Sequence, residues 1–111
     1  MTLLTSAGKK DFATLNRDTF IAGKKTVTAA GTAEQLPSNA VPQGFPVVVK
    51  ALAGNTAKVH VAKTQAIAQV DATAYELAAG EAVGLLVSNT NKIWVDANVS
   101  GEGVTFTVEM D

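Results

Sequence analysis

The chain has 111 residues and a formal net charge of −1; this length suffices for one domain and leaves too little for two. It contains no cysteine, which excludes disulfides, thiolate nucleophiles and cysteine-based zinc sites. Hydrophobic residues make up 47% of the chain but aromatic residues only 5%. A core built mainly from valine and alanine is therefore expected, and oligomerisation is the simplest way to reinforce it.

Residues 1–23 differ from the remainder of the chain. Their apolar side chains are scattered among polar ones with no strand period, and we predict an N-terminal arm that lies along a neighbouring subunit or the domain surface. A short helix over residues 11–17, with Asp11 as its N-cap, is the alternative for part of this segment. No signal peptide and no apolar run of membrane-spanning length is predicted, so synthesis in a cytoplasm is expected.

Charge is distributed unevenly along the chain. Residues 1–25 carry five basic and two acidic side chains, whereas residues 71–111 carry one basic and seven acidic ones. This asymmetry suits a head-to-tail contact between copies of the chain, with ordinary surface scatter as the alternative. Four residues of the arm are candidate interface residues: Lys9, Lys10, Phe12 and Phe20.

Residues 24–111 are predicted to form one β domain. Apolar and polar residues alternate in seven or eight short segments at intervals of roughly ten residues. This pattern predicts an all-β fold, an antiparallel β-sandwich of jelly-roll-like character. Three prolines make residues 37–46 a rigid loop, and residues 64–72 are predicted as a connecting loop or short helical turn.

Three pairs of consecutive strands are predicted to be joined by a short turn that contains glycine, and the first and third of these pairs are predicted to form hairpins. The pairs join residues 45–52 to 56–63, residues 73–78 to 82–88, and residues 93–99 to 104–110. The third pair shows the clearest alternation and is the strongest structural signal in the sequence.

His60 is the only histidine. Alternation places its side chain on the face of the strand opposite to that of Val59 and Val61, so a position at the protein surface is predicted. Without a second histidine or a cysteine, no transition-metal site is predicted. Asp96, Asn98 and Ser100 precede Gly101 with the spacing that opens a calcium loop, but the carboxylate that would close such a loop is missing. A turn is the preferred interpretation there and a cation site the alternative.

No Ser-His-Asp set, paired carboxylates or phosphate-binding glycine loop can be assembled from the sequence. The chain is therefore predicted not to be an enzyme and to need no cofactor. Its lysines do not interleave with aromatic residues, so no nucleic-acid partner is predicted. Trp94 alternates with Ile93 and Val95 and is predicted on the outward face of its strand. It is a candidate interface anchor, or else it fills a second layer beneath the arm.

An ordered series of turn motifs resembles a pattern found in small virion proteins of tailed bacteriophages. The series covers roughly residues 30–108 and consists of Gly31–Pro37, Val41–Phe45, Lys50–Ala51, Gly54–Thr56, Leu77–Glu81, Ser88–Ala97 and Ser100–Val104. The resemblance implies a β-sandwich structural protein without catalytic residues, either a capsid decoration (cement) protein or the base of a head fibre.

The expected function is therefore decoration and stabilisation of a phage capsid by a homotrimer, through non-catalytic contacts with the major capsid protein or other virion proteins. The expected location is the virion, with neither nucleic acid nor membrane as a partner. The alternative is a tail, baseplate or fibre component that joins virion parts or binds a host glycan, with Trp94, Asp96 and Asn98 as its sugar platform.

Overall fold

The structure is a computed structural model that describes residues 19–110. Eight strands form two four-stranded sheets. The strands are β1 (Phe20–Thr26), β2 (Glu34–Gln35), β3 (Val47–Ala51), β4 (Val59–Ala62), β5 (Tyr75–Leu77), β6 (Ala82–Leu85), β7 (Trp94–Ala97) and β8 (Gly103–Glu109). A one-turn helix α1 (Gln65–Ala68) lies between β4 and β5, and a 3-10 helix (Thr90–Lys92) precedes β7.

The strand order identifies the topology. The first sheet has the order β1-β8-β3-β6 and the second sheet has the order β2-β7-β4-β5. β1 pairs with β8, β2 with β7, β3 with β6, and β4 with β5, always antiparallel. This nested pairing of the first half of the chain with the second half is that of a jelly roll. The predicted antiparallel β-sandwich of jelly-roll-like character is confirmed.

Both predicted hairpins are wrong, and the third pair of turn-joined strands does not pair either. β3 and β4, β5 and β6, and β7 and β8 are consecutive along the chain, but the members of each pair lie in different sheets. Their turns carry the chain across the core instead of back alongside itself. After β7, for example, the Gly101 amide donates to the Val27 carbonyl and the Val27 amide donates to the Glu102 carbonyl. Alternation reports one buried face, which hairpin strands and sandwich strands share.

The predicted boundary of the arm at residue 23 is also wrong. β1 pairs with β8 without interruption from Phe20 opposite Glu109 to Thr26 opposite Gly103, so residues 20–23 belong to the first sheet. Gly23 conceals the strand period because it contributes no side chain where the Phe106 ring lies: a Cβ at Gly23 would come within 2.6 Å of that ring. Residues 1–18, which include Lys9, Lys10 and Phe12, lie outside the described residues.

The core between the two sheets is rich in valine, as predicted. Its largest members are Leu36, Leu77, Ile93 and Phe106, and nine valines make up most of the remainder. In the first sheet, buried and exposed residues alternate cleanly along β3. In the second sheet, β4 and β7 are buried on both faces over much of their length.

Helix α1 explains this difference between the sheets. It packs against β4 and β7, and Ala68 is fully buried although it lies outside the core cluster. The Gln65 side chain donates to the Ala33 carbonyl, and the Ala33 amide donates to the Gln69 side chain. The segment from residue 63 to residue 74 therefore forms an additional layer on the outer face of the second sheet.

Candidate functional site

Several exposed apolar side chains lie at one end of the sandwich. In the first sheet, Val47 pairs with both Leu85 and Val108, so the start of β3 and the ends of β6 and β8 meet there. In the second sheet, the start of β5 and the end of β4 pair at the same end of the molecule. Leu86 and Tyr75 stand at this end with 74% and 58% of their surface exposed.

Two adjoining grooves meet at Leu86. The larger, of about 430 Å³, is lined by Val41, Gln43, Gly44, Phe45, Leu86, Val87 and Ser88. The smaller, of about 180 Å³, shares Leu86 and Val87 and adds Tyr75, with Lys63 and Lys92 among its other lining residues. We call these two grooves together the Leu86 surface. An exposed leucine alone is ordinary, but one set between two apolar grooves is typical of a contact surface.

Two loops that are hydrogen-bonded to each other form much of this surface. The loop from residue 36 to residue 46 is joined to the loop from residue 86 to residue 93 by a β-bridge between Ala40 and Asn89. The Val41 amide donates to the Ser88 carbonyl at 3.0 Å, and the buried Thr90 hydroxyl donates to the Pro37 carbonyl. Prolines and buried hydrogen bonds leave these loops little freedom, so binding a partner here loses little conformational entropy.

The predicted interface residues within the described chain occupy different places. Phe20 lies on β1 at the edge of the first sheet with 64% of its surface exposed. Trp94 lies on the outer face of the second sheet, as predicted, because its neighbours Val95 and Ala97 point into the core. It is only partly buried. Neither residue lines the Leu86 surface, and their roles as interface residues stay predictions.

His60 is buried, contrary to the prediction of a surface position. Only 1% of its surface is exposed, because the layer built around α1 covers the outward face of β4. Its Nε2 lies 3.2 Å from Oε2 of Glu76 and 3.3 Å from Oδ1 of Asp71. Glu76 stands directly opposite His60 on the neighbouring strand, whereas Asp71 comes from the segment that follows α1. Nδ1 of His60 is buried and has no partner among the described residues.

These three side chains form a cluster with the composition of a metal site. One ligand atom from each of His60, Asp71 and Glu76 lies within 4.8 Å of the others. Lys58 contributes a further charge, since its Nζ lies 3.6 Å from Oε1 of Glu76. Sequence reasoning missed the cluster because the strand pattern gave no sign that another segment covers this face.

Asp96, considered as the start of a calcium loop, serves a different purpose. It is buried, and its Oδ1 accepts hydrogen bonds from the amides of Gly31 at 3.0 Å and Ala97 at 2.8 Å. Ser100 similarly accepts from the Ala30 amide. Both side chains hold the connection between β1 and β2, so turn chemistry accounts for this motif. Asp96 is therefore withdrawn from the predicted glycan platform beside Trp94.

Two carboxylates at the end opposite the Leu86 surface also hold loops. Glu34 pairs with Lys25 at 2.8 Å and accepts from the Thr28 amide, and these contacts, that with Lys25 above all, lower the pKa of Glu34. Glu102 accepts from the amide and hydroxyl of Thr56 and from the Ala57 amide. The Thr56 contacts chiefly lower the pKa of Glu102, because hydrogen bonds to the ionised form favour it.

Comparison with known protein families, curated proteins and solved structures finds no match to the chain. Within residues 19–110, no helix is long and apolar enough to cross a membrane.

Proposed function

We propose that the chain is a structural protein of a tailed-phage virion that decorates and stabilises the capsid as a homotrimer. Its partner is the major capsid protein or another virion protein, and the contacts are non-catalytic. The turn motifs of residues 30–108 support this proposal through their resemblance to small phage virion proteins. The jelly roll supports it by analogy, since viral capsid proteins use this fold, although a fold alone does not define a function.

The Leu86 surface is the observation that carries the proposal. Its exposed leucine sits between two apolar grooves on loops that are already fixed. A capsid decoration protein makes the same contact with the capsid in every copy. Such a protein therefore needs a preformed binding surface and does not need a catalytic site. Lys63 and Lys92 line the smaller groove, so the complementary surface is apolar with acidic residues at its margin.

Purified protein should be mixed with phage heads assembled without it, and the bound fraction measured by co-sedimentation. We expect saturable binding with a fixed number of copies per head. Leu86→Lys should weaken binding by about tenfold or more, because a charge replaces the anchor between the grooves. Val48→Lys is the matched control, since Val48 is an exposed residue on the outer face of the first sheet. Absence of saturable binding by the unaltered protein would contradict the proposal.

The trimer is tested separately by sedimentation of the free protein and of Trp94→Ala. If Trp94 anchors the subunit contact, the variant shifts toward monomer while its domain remains folded. An unchanged oligomeric state in the variant would show that Trp94 does not anchor the subunit contact.

The number of copies per purified particle tests the location of the protein in the virion. Hundreds of copies indicate the shell, whereas a few to dozens indicate the tail or a fibre.

A further inference from the structure

The cluster of His60, Asp71 and Glu76 is short of hydrogen-bond donors. Nε2 of the histidine carries at most one hydrogen, yet carboxylate oxygens of both acids lie within 3.3 Å of it. The two acids come from different elements and converge on a side chain that is 1% exposed and whose other nitrogen has no partner among the described residues. One hydrogen cannot satisfy two carboxylates well, whereas a metal ion can accept all three ligands at once.

The distances also suit a shared ion. Zinc binds histidine nitrogen and carboxylate oxygen at about 2.0–2.2 Å. Two atoms each about 2.1 Å from one ion, at an angle of about 100°, lie about 3.2 Å apart. The measured separations of 3.2 and 3.3 Å from Nε2 to the two oxygens correspond to this arrangement. The limit of 4.8 Å on all three separations lets one ion reach every ligand with small side-chain movements.

We propose that His60, Asp71 and Glu76 bind one divalent transition-metal ion, Zn²⁺, and that the ion fastens the segment after α1 to the second sheet. One imidazole nitrogen with two carboxylate oxygens is a ligand set that zinc accepts. The carboxylates remain 69% and 37% exposed, so water completes the coordination. The ion leaves the Leu86 surface untouched, and the inference is independent of the proposed virion function.

The structure also sets the strength of the site. Ligation through Nε2 leaves the histidine proton on Nδ1, where the described residues supply no acceptor. Loss of such an outer partner typically weakens metal binding about 10- to 100-fold, so micromolar affinity is expected. Lys58 lies 3.6 Å from Glu76, and its positive charge opposes the ion.

The test is titration of the untagged, chelator-treated full chain with Zn²⁺ by calorimetry, because a polyhistidine tag would itself bind zinc. We expect one ion per chain. Asp71→Asn should weaken binding by about tenfold or more, and Lys58→Met should strengthen it by about two- to fivefold. Glu109→Gln, which alters an exposed carboxylate on β8, should leave binding unchanged.

A second measurement reports on the ligand itself. Since the chain has one histidine, nitrogen NMR of the ring gives a single pair of signals. Ligation should shift the Nε2 signal and place the hydrogen on Nδ1. Absence of stoichiometric zinc binding, equal binding by Asp71→Asn, or an unchanged histidine spectrum at zinc saturation would each overturn the proposal.

Discussion

The outer faces of the two sheets show how the same strand pattern can have different surroundings. Among the described residues, the outer face of the first sheet is exposed, and Val48 and Lys50 alternate there with buried Val47 and Val49. The second sheet has its outer face covered by the segment around α1, and there His60 and Asp96 are buried. Both sheets obey the two-residue period of a strand, but only in the first does the period also report exposure.

This difference separates two kinds of polar residue on a strand. On the open face, polar side chains are solvated and need no particular partner. On the covered face, each must find hydrogen bonds within the protein. Asp96 finds the amides of Gly31 and Ala97, and His60 finds Asp71 and Glu76. Any specific chemistry of this domain is therefore expected on the covered face.

The largest expected effect lies in the core cluster between the two sheets. Phe106 is 2% exposed, belongs to the core cluster and lies over Gly23. Phe106→Ala should lower the free energy of unfolding by about 3–5 kcal/mol, because it removes a large apolar side chain and leaves a cavity. Val48→Ala on the open face should change it by about 0.5 kcal/mol or less. Urea denaturation of both variants measures the contrast, and equal losses would mean that the first sheet is covered on both faces.

A smaller loss is expected from the covered face. Asp96→Ala leaves the Gly31 and Ala97 amides without their acceptor in a buried setting. An unsatisfied buried donor costs about 1–3 kcal/mol, and the same measurement should show a loss in that range. Thr107→Ala is the matched change on the open face, since Thr107 is exposed on β8, and it should be nearly neutral. A neutral Asp96→Ala would show that water replaces the carboxylate.

The sequence was sufficient for the fold class but not for the connections between strands. Alternation identified the buried valines and the sandwich, because burial of one face is a local property. It assigned turns such as residues 100–103 to hairpins, although that turn is bonded to Val27 of a distant segment. It also placed His60 in solvent, since nothing near residue 60 reveals that residues 63–74 fold back over it. Contacts between distant segments of the chain determine both the connections between strands and the burial of His60. The local alternation of apolar and polar residues does not contain this information.

Acid should weaken the connections that tie the two sheets together. Glu34 of the second sheet pairs with Lys25 of the first, and its pKa is lowered by that contact; the pKa of Glu102 is lowered by Thr56. A carboxyl group whose pKa is lowered in the folded state stabilises the fold at pH values above its ordinary pKa of 4.5. It loses that contribution as the pH falls through its folded-state pKa. We therefore expect stability to decline below about pH 4.5.

Denaturation of the double variant Glu34→Gln and Glu102→Gln at several pH values isolates this contribution. At pH 7 the variant should be less stable than the unaltered protein, and by about pH 3 the difference should have narrowed or vanished. Glu109→Gln, which alters an exposed carboxylate on β8, is the control for the loss of one carboxylate charge. A gap that widens on acidification would have the wrong sign for a lowered pKa.

The smallest effect is expected from the ion pair at the rim of the covered face. Lys58 and Glu76 are 3.6 Å apart with 57% and 37% of their side chains exposed, whereas Lys25 and Glu34 are 2.8 Å apart and less exposed. Solvent screens the first pair, so Lys58→Met should cost about 0–0.5 kcal/mol without added metal. Lys25→Met should cost more, because Glu34 then keeps only its contacts with the amide and side chain of Thr28 among the described residues. The free energy of unfolding of both variants should be measured at low salt and at 1 M salt. Screening by salt should remove most of the stabilisation from the exposed Lys58–Glu76 pair and less of that from the partly buried Lys25–Glu34 pair. A Lys58→Met loss as large as that of Lys25→Met would mean that the lysine holds the covering segment in place.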